Sequence, residues 1–232
     1  MWAEGMPEEY KNSIVTGDHK ELAKRLPDNS IDICFTDPPY LKEYVHTYID
    51  LLEYCPRILK PGGSVFVICG QWQVDQIIRA ADKADMRFYW CSWLSGFFGT
   101  KISRYNPNIV CCGKPILWFY KPWKKQYPRP YKGVFWWDEI MSSGKEKSHH
   151  EWQQSLNWAE RGVMLCPADG VVLEPFTGGG TVPVACKMHG RNFVAFEIDE
   201  NTAIKARDRV ATAQLVMRDL LHQSELTHLD QS

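Results

Sequence analysis

No apolar run in the 232 residues approaches the roughly 18 that a membrane-crossing helix requires, so no helical span is expected. The first residues, MWAEGMPEEYKN, are acidic and lack the apolar centre of a secretory leader, which argues for the cytoplasm. Eight cysteines are present, but no pair has the spacing of a zinc knuckle or a redox CxxC, so neither a metal site nor a disulfide framework is expected. They read as reduced core residues. Hydrophobic content of 44% and charged content of 24% lie near globular averages, which disfavours disordered and fibrous classes. The length suits one domain, 1–232.

A strong net charge is also missing, yet the value of −1 conceals an asymmetry. Residues 101–150 hold ten basic and three acidic side chains, an excess of +7, which leaves −8 for the rest. A local polyanion-binding face on an acidic body follows from that contrast.

Strands are expected at NSIVTG (12–17), IDICFT (31–36), SVFVICG (64–70), MRFYWCSWL (86–94), PILWFYK (115–121), GVVLEPF (170–176) and NFVAFEI (192–198). Helical patterns fill 18–27, 44–60, 73–84, 152–166, 181–189 and about 201–221, and Pro61-Gly62-Gly63 reads as a turn. Strand and helix alternate, the pattern of a parallel sheet covered by helices. From Lys121 to residue 149 the periodicity stops and Pro, Gly, basic and aromatic residues accumulate. Such a stretch in a compact domain is functional or disordered, and its aromatics favour function.

Two short segments carry chemistry. In EPFTGGGT (174–181) a strand runs into three glycines and a helix start, a backbone that turns tightly and offers free N–H groups to a ligand. About twenty residues on, Glu197 ends the next strand, where a carboxylate can accept both hydroxyls of a ribose. A glycine turn alone also fits an ordinary strand-to-helix loop. The second segment, FTDPPY (35–40), ends a buried strand with an acid, two prolines and an aromatic ring. Average composition gives that tetrapeptide, acid-Pro-Pro-Tyr, in about one chain in a thousand of this length.

With both segments in one chain, the sequence resembles the amino-methyltransferase family that moves a methyl group from S-adenosylmethionine to the exocyclic nitrogen of a DNA base. Asp37-Pro38-Pro39-Tyr40 match its catalytic motif, and Phe176, Gly178, Gly180 and Thr181 its cofactor loop. HEWQQS (150–155) is similar to its His-x-x-Gln-Lys-Pro segment, with Gln154 and Ser155 in place of Lys and Pro. The catalytic motif precedes the cofactor loop, which resembles the circularly permuted beta class. The resemblance implies an α/β, Rossmann-like seven-stranded sheet, mostly parallel with one antiparallel strand near an edge and helices on both faces. The 12–17 strand should then lie beside the 192–198 strand, bringing the chain ends together.

The resemblance also implies roles. Asp37 and the Pro38 carbonyl each accept one N–H of the target amino group, Pro39 stiffens the loop, and Tyr40 stacks on the extruded base. Glu197 holds the cofactor ribose, Asp18 the adenine amino group, and Glu174 and Phe176 line the donor. Thr181, His150 and Gln153 face its methionine end. Asp199 reads as a helix cap. No metal and no nucleophilic cysteine are required. Duplex DNA is the expected partner, contacted by the inserted segment 121–149 through Lys121, Trp123, Lys124, Lys125, Tyr127, Arg129, Tyr131, Trp136 and Trp137. Adenine N6 is the expected target because position 37 is Asp, with cytosine N4 or a silent cofactor-fold binding protein as alternatives. A homodimer is expected by resemblance, and a cognate restriction enzyme stays open.

Overall fold

The strand at the centre of the molecule has no exposed residue, because both of its faces are covered. The computed structural model describes residues 2–95, 113–124, 139–141 and 156–214. In it, all six residues of β2 (Ile31–Thr36) are buried. β2 lies between β7 (Val171–Glu174) and β3 (Leu59–Ile68), parallel to both. Such strands read as continuous apolar runs rather than alternating ones, as IDICFT does.

The other strands extend the sheet on both sides. β8 (Asn192–Glu197) joins β7, and β1 (Ser13–Thr16) joins β8 in parallel, with Ser13 opposite Val194. β5 (Gly113–Tyr120) pairs antiparallel with β3 and with β4 (Arg87–Ser95). The order is β1-β8-β7-β2-β3-β5-β4, followed by β6 (Glu139–Met141) at the edge. Seven strands thus form the expected mixed sheet, with β5 as its reversed member and the chain's first and last strands adjacent.

Helices cover both faces. On one, α2 (Val45–Ile58) and α3 (Val74–Lys83) pack Tyr48, Leu51, Leu52, Cys55 and Ile77 against Cys34, Val65, Val67 and Leu117. On the other, α4 (Leu156–Met164), α5 (Thr181–Met188) and α6 (Glu200–Thr212) cover Ile33, Phe35, Phe66 and Val172. The alternation Ile33, Cys34, Phe35 between the two cores is the period of a strand read directly from side chains.

Four expectations need correction. The sheet has an eighth strand among the described residues, because Glu139–Met141 pairs in parallel with Trp93 to Ser95. Three residues are too few to show a period. Pro61-Gly62-Gly63, expected as a turn ahead of the strand, is a bulge within the bounds of β3: Gly62 has a φ of +76°, the pairing with β2 jumps from Leu59 to Ser64, and Gly62 donates to Lys121 O at 3.0 Å while Lys121 donates back to Gly63 O at 2.9 Å. The helical pattern at 18–27 yields only α1 (His19–Ala23): Lys24, Arg25 and Leu26 continue it as tighter i→i−3 turns, Pro27 has no N–H to bond Ala23 O, and Arg57 takes up the carbonyls of Ala23 and Leu26, each at 2.6 Å. α6 stops at Thr212, with Ala213 extended and Lys187 capping the carbonyls of Val210 and Ala211 at 2.7 and 2.8 Å.

A glycine shows how tightly one core is fitted. A Cβ on Gly162 of α4 would meet the Phe35 ring at 2.2 Å, and that ring is itself wedged against Trp158 at 4.9 Å between centroids. We predict that Gly162→Ala lowers folding stability by about 1–3 kcal/mol through overpacking, despite alanine's better helix propensity. A denaturation midpoint at or above that of the wild type would refute this packing account.

Candidate active site

The parallel strands all point their carboxyl ends to one edge. Strand connections leave β7 and β2 in opposite directions, toward β8 and toward β3, so the edge opens a crevice between β7 and β2. Ligands of open α/β sheets bind at such a reversal. Glu174 ends β7, Glu197 ends β8, and Thr36 ends β2 with Asp37 immediately after it.

On the β2 side, Asp37 is half-buried, Pro38 buried and Pro39 exposed. The Tyr40 hydroxyl donates to Asp37 Oδ1. The loop is pinned from below by Tyr48 of α2, whose hydroxyl lies 3.2 Å from Pro38 O, 3.4 Å from Pro39 O and 3.4 Å from Ile68 O. Burial pushes the Tyr48 phenol far up, so it stays a donor to this cluster of carbonyls. Pro38 O keeps a second lone pair for another donor. Lys114, at the start of β5, places Nζ 2.9 Å from the Tyr40 hydroxyl and 4.1 Å from the centre of its ring. Because β5 runs backwards, its amino end reaches the same edge as the carboxyl ends of its neighbours.

On the β7 and β8 side, Glu174 is almost fully buried and accepts from the Thr36 hydroxyl and from Phe176 N at 3.0 Å. Burial pushes its carboxyl well above the usual range, and the nearby Asp37 and Glu197 charges add to that, against the two donors. Glu174 thus ties β7 to β2 across the crevice. Glu197 holds the loop from the other side: Oε2 accepts from Gly178 N at 2.7 Å and Oε1 from Asp199 N at 3.0 Å. Gly178 and Gly180 have φ of +49° and +76°, which side chains with a Cβ rarely adopt. Gly180 packs on α6, where an added Cβ would meet Ala206 at 3.1 Å, whereas one on Gly178 would meet nothing within 4 Å. The crevice therefore leaves ligand space against the loop at Gly178.

The remaining expected residues divide. Phe176 is half-buried against the His19 ring, 4.5 Å between centroids, and His19 Nδ1 is 3.2 Å from the Tyr54 hydroxyl. Burial holds the His19 imidazole below its ordinary range, against the pull of Asp18 and Asp50. Asp18 caps α1 through Oδ1, accepting from Lys20 N at 2.9 Å and Glu21 N at 3.1 Å, on an exposed side chain. Thr181 is buried, and its hydroxyl accepts from Arg209 at 3.1 Å, the same guanidinium that holds Gly179 O at 2.7 Å. Asp199 is the expected cap, accepting from Thr202 N at 2.8 Å.

His150, Gln153, Lys125, Tyr127, Arg129, Tyr131, Trp136 and Trp137 lie outside the described residues. Lys121, Trp123 and Lys124 follow the far end of β5, at the opposite edge of the sheet from Asp37. Lys121 Nζ is committed there to Asn29 Oδ1 at 2.7 Å and Leu59 O at 2.8 Å, a structural tie between strand ends. Four residues at the site carried no expected role: Thr36, Tyr48, Lys114 and Ile198. Ile198, just past β8 between Glu197 and Asp199, is 71% exposed. An isoleucine that leaves a buried strand for solvent is a signal available in the sequence once Glu197 is placed.

The chain is similar to known proteins. A family model described as DNA methylase, of the N6/N4 methyltransferases, matches residues 31–207. The Type II methyltransferase M.HpaI of Haemophilus parainfluenzae is 25% identical over 225 residues, 81% of this chain and 70% of its own length. M.BglII of Bacillus subtilis is 27% identical over 247 residues, 84% of this chain and 67% of its own. Among solved structures, the M1.HpyAVI–SAM complex superposes with a TM-score of 0.69 at 22% identity, covering 85% of this chain and 98% of that one. The PvuII DNA methyltransferase, described as cytosine-N4-specific, gives 0.73 at 17% identity, covering 94% and 90%. The family match takes in β2 with its Asp37 loop, the glycine loop and Glu197, and the chain belongs to the N6/N4 family of DNA methylases.

Proposed function

We propose that the chain transfers the methyl group of S-adenosylmethionine to the exocyclic N6 of an adenine swung out of duplex DNA. The observation that carries this is the placement of Asp37 and the Pro38 carbonyl at the end of β2, one strand from the loop that Glu197 and Glu174 hold.

The crevice fits the cofactor: the space beside Gly178, the exposed Ile198 and the carboxylate of Glu197 suit a nucleoside with an apolar face and a diol. Glu197 would hold the ribose and Asp18, through the oxygen its cap does not use, the adenine amino group. Phe176 would line the donor, and Thr181, His150 and Gln153 its methionine end. S-adenosylmethionine supplies, when bound, an electrophilic sulfonium methyl group.

The residues of this chain do the rest. An exocyclic amino group is a weak nucleophile, since its lone pair is delocalised into the ring. Asp37 and Pro38 O each accept one of its N–H groups and turn the lone pair out of the ring plane toward the methyl. Tyr48 keeps Pro38 O from shifting, and Tyr40 offers a ring for the extruded base. The methylated nitrogen carries a proton acidic enough to pass to Asp37, so no separate general base is needed.

Residues 121–149 are proposed as the target-recognition segment, supported by their basic and aromatic content; Lys121, given its ties, is left out of the DNA contacts. The pairing of β1 with β8 supports a circularly permuted beta-class order. Relatives described as Type II methyltransferases support a modification enzyme. Cytosine N4 is the second reading, favoured by the likeness to the PvuII enzyme's fold.

The test is transfer of tritiated methyl from S-adenosylmethionine to unmethylated duplex DNA, with nucleoside analysis. N6-methyladenine is expected. N4-methylcytosine would replace the proposal by its alternative, and a cofactor-binding protein that labels no DNA would defeat both.

A further inference from the structure

One charged side chain at the site has no task in this mechanism. Lys114 is half-buried, and removal from water pushes its ammonium below the ordinary lysine range while the Asp37 charge pushes it back up. A lysine needed only for solubility would extend into solvent. This one is held over the Tyr40 ring with its ammonium on the Tyr40 hydroxyl. That hydroxyl in turn donates to Asp37 Oδ1.

The chain of donors has only one possible direction. A charged ammonium donates and cannot accept, and a carboxylate accepts and cannot donate. The Tyr40 oxygen accepts from Lys114, and its own hydrogen goes to the Asp37 carboxylate, which has none to give. The Tyr40 ring is fixed at its hydroxyl by Lys114 on one side and Asp37 on the other, and the Asp37 carboxylate is held by the same hydroxyl.

Resting on the reading of Asp37 and Tyr40 given above, we propose that Lys114 is a positioning residue for methyl transfer. Through the Tyr40 hydroxyl and ring it sets the direction of both the base-stacking surface and the acceptor carboxylate.

Lys114→Met keeps the aliphatic stem and removes the charge and the donor; Lys114→Arg keeps both. In protein labelled with 3-fluorotyrosine, the fluorine resonance of Tyr40, assigned by its loss in Tyr40→Phe, is expected to move in Lys114→Met. With unmethylated duplex DNA, kcat of that variant should fall about 100-fold, as misplaced reacting groups do. KM for S-adenosylmethionine should stay within about threefold, and Lys114→Arg should recover to within about tenfold of the wild type. An unmoved resonance, an unchanged kcat, or an arginine variant as impaired as the methionine one would each overturn the role. A responsive resonance in a wild-type protein that methylates no DNA would overturn the methyl-transfer reading together with the positioning role, and leave the contact standing.

Discussion

Asp37→Ala is expected to lower DNA methyl transfer by about 1,000-fold or more, the loss typical of a group that acts on the transition state in a preorganised site. S-adenosylmethionine affinity should remain within about threefold, since the residue is placed to act on the target nitrogen and not on the cofactor. The asymmetry follows from geometry. Asp37 begins the loop after β2, whereas the loop expected to cradle the cofactor is held by Glu197 and Glu174 from β8 and β7. Alanine leaves the Pro38 carbonyl as the one acceptor for two N–H groups, so the amino group stays conjugated with its ring. It also strands the Tyr40 hydroxyl that donates to Asp37. Asp37→Asn separates these effects, because its amide oxygen still accepts one bond while its NH₂ opposes the incoming donor; a loss of about 10- to 100-fold is expected. Tritium transfer at saturating cofactor, alongside equilibrium binding, reads both quantities. Wild-type turnover by the alanine variant would remove Asp37 from the mechanism.

Legibility in the sequence followed the range of the interactions. FTDPPY and EPFTGGGT are local: prolines fix a backbone, glycines permit one, and the ends of buried strands show as the close of apolar runs. The sheet order was legible for the same reason once the two loops were recognised, and β1 pairs with β8 as that recognition implied. What escaped depends on partners far along the chain. Tyr48 sits on the apolar face of α2 among Leu51, Leu52 and Cys55, indistinguishable by pattern from a core residue, yet its hydroxyl meets the carbonyls of Pro38 and Ile68. Lys114 reaches Tyr40 across 74 positions.

The basic segment shows the limit most clearly, because composition has no direction. Lys114 and Lys121 were counted in one positive patch, but the antiparallel β5 carries them to opposite edges of the sheet. Seven residues of strand separate them by about 24 Å. One meets the catalytic loop and the other ties Asn29 to Leu59. A charge excess in sequence predicts a surface only when the fold keeps the charges together.

The second large effect is expected on the cofactor side. Glu197→Ala should weaken S-adenosylmethionine binding by about 30- to 100-fold, while kcat at saturating cofactor falls by no more than about threefold. Glu197 does two things at once. Its oxygens accept from Gly178 N and Asp199 N, so the glycine loop and the start of α6 are set before any ligand arrives. A carboxylate oxygen has more than one acceptor position, so both can still receive a ribose hydroxyl. Alanine removes the ribose acceptor and frees a loop whose Gly178 already stands at a φ of +49°, and the ordering cost then falls on binding. Glutamine is a poor substitute, since its NH₂ would face one of the two backbone donors. The two losses can be told apart with adenosine and 2′,3′-dideoxyadenosine as competing ligands. If ribose contact dominates, the wild type discriminates between them and Glu197→Ala does not. If loop order dominates, both ligands weaken equally in the variant. Unchanged affinity for S-adenosylmethionine in Glu197→Ala would move the cofactor site away from the end of β8.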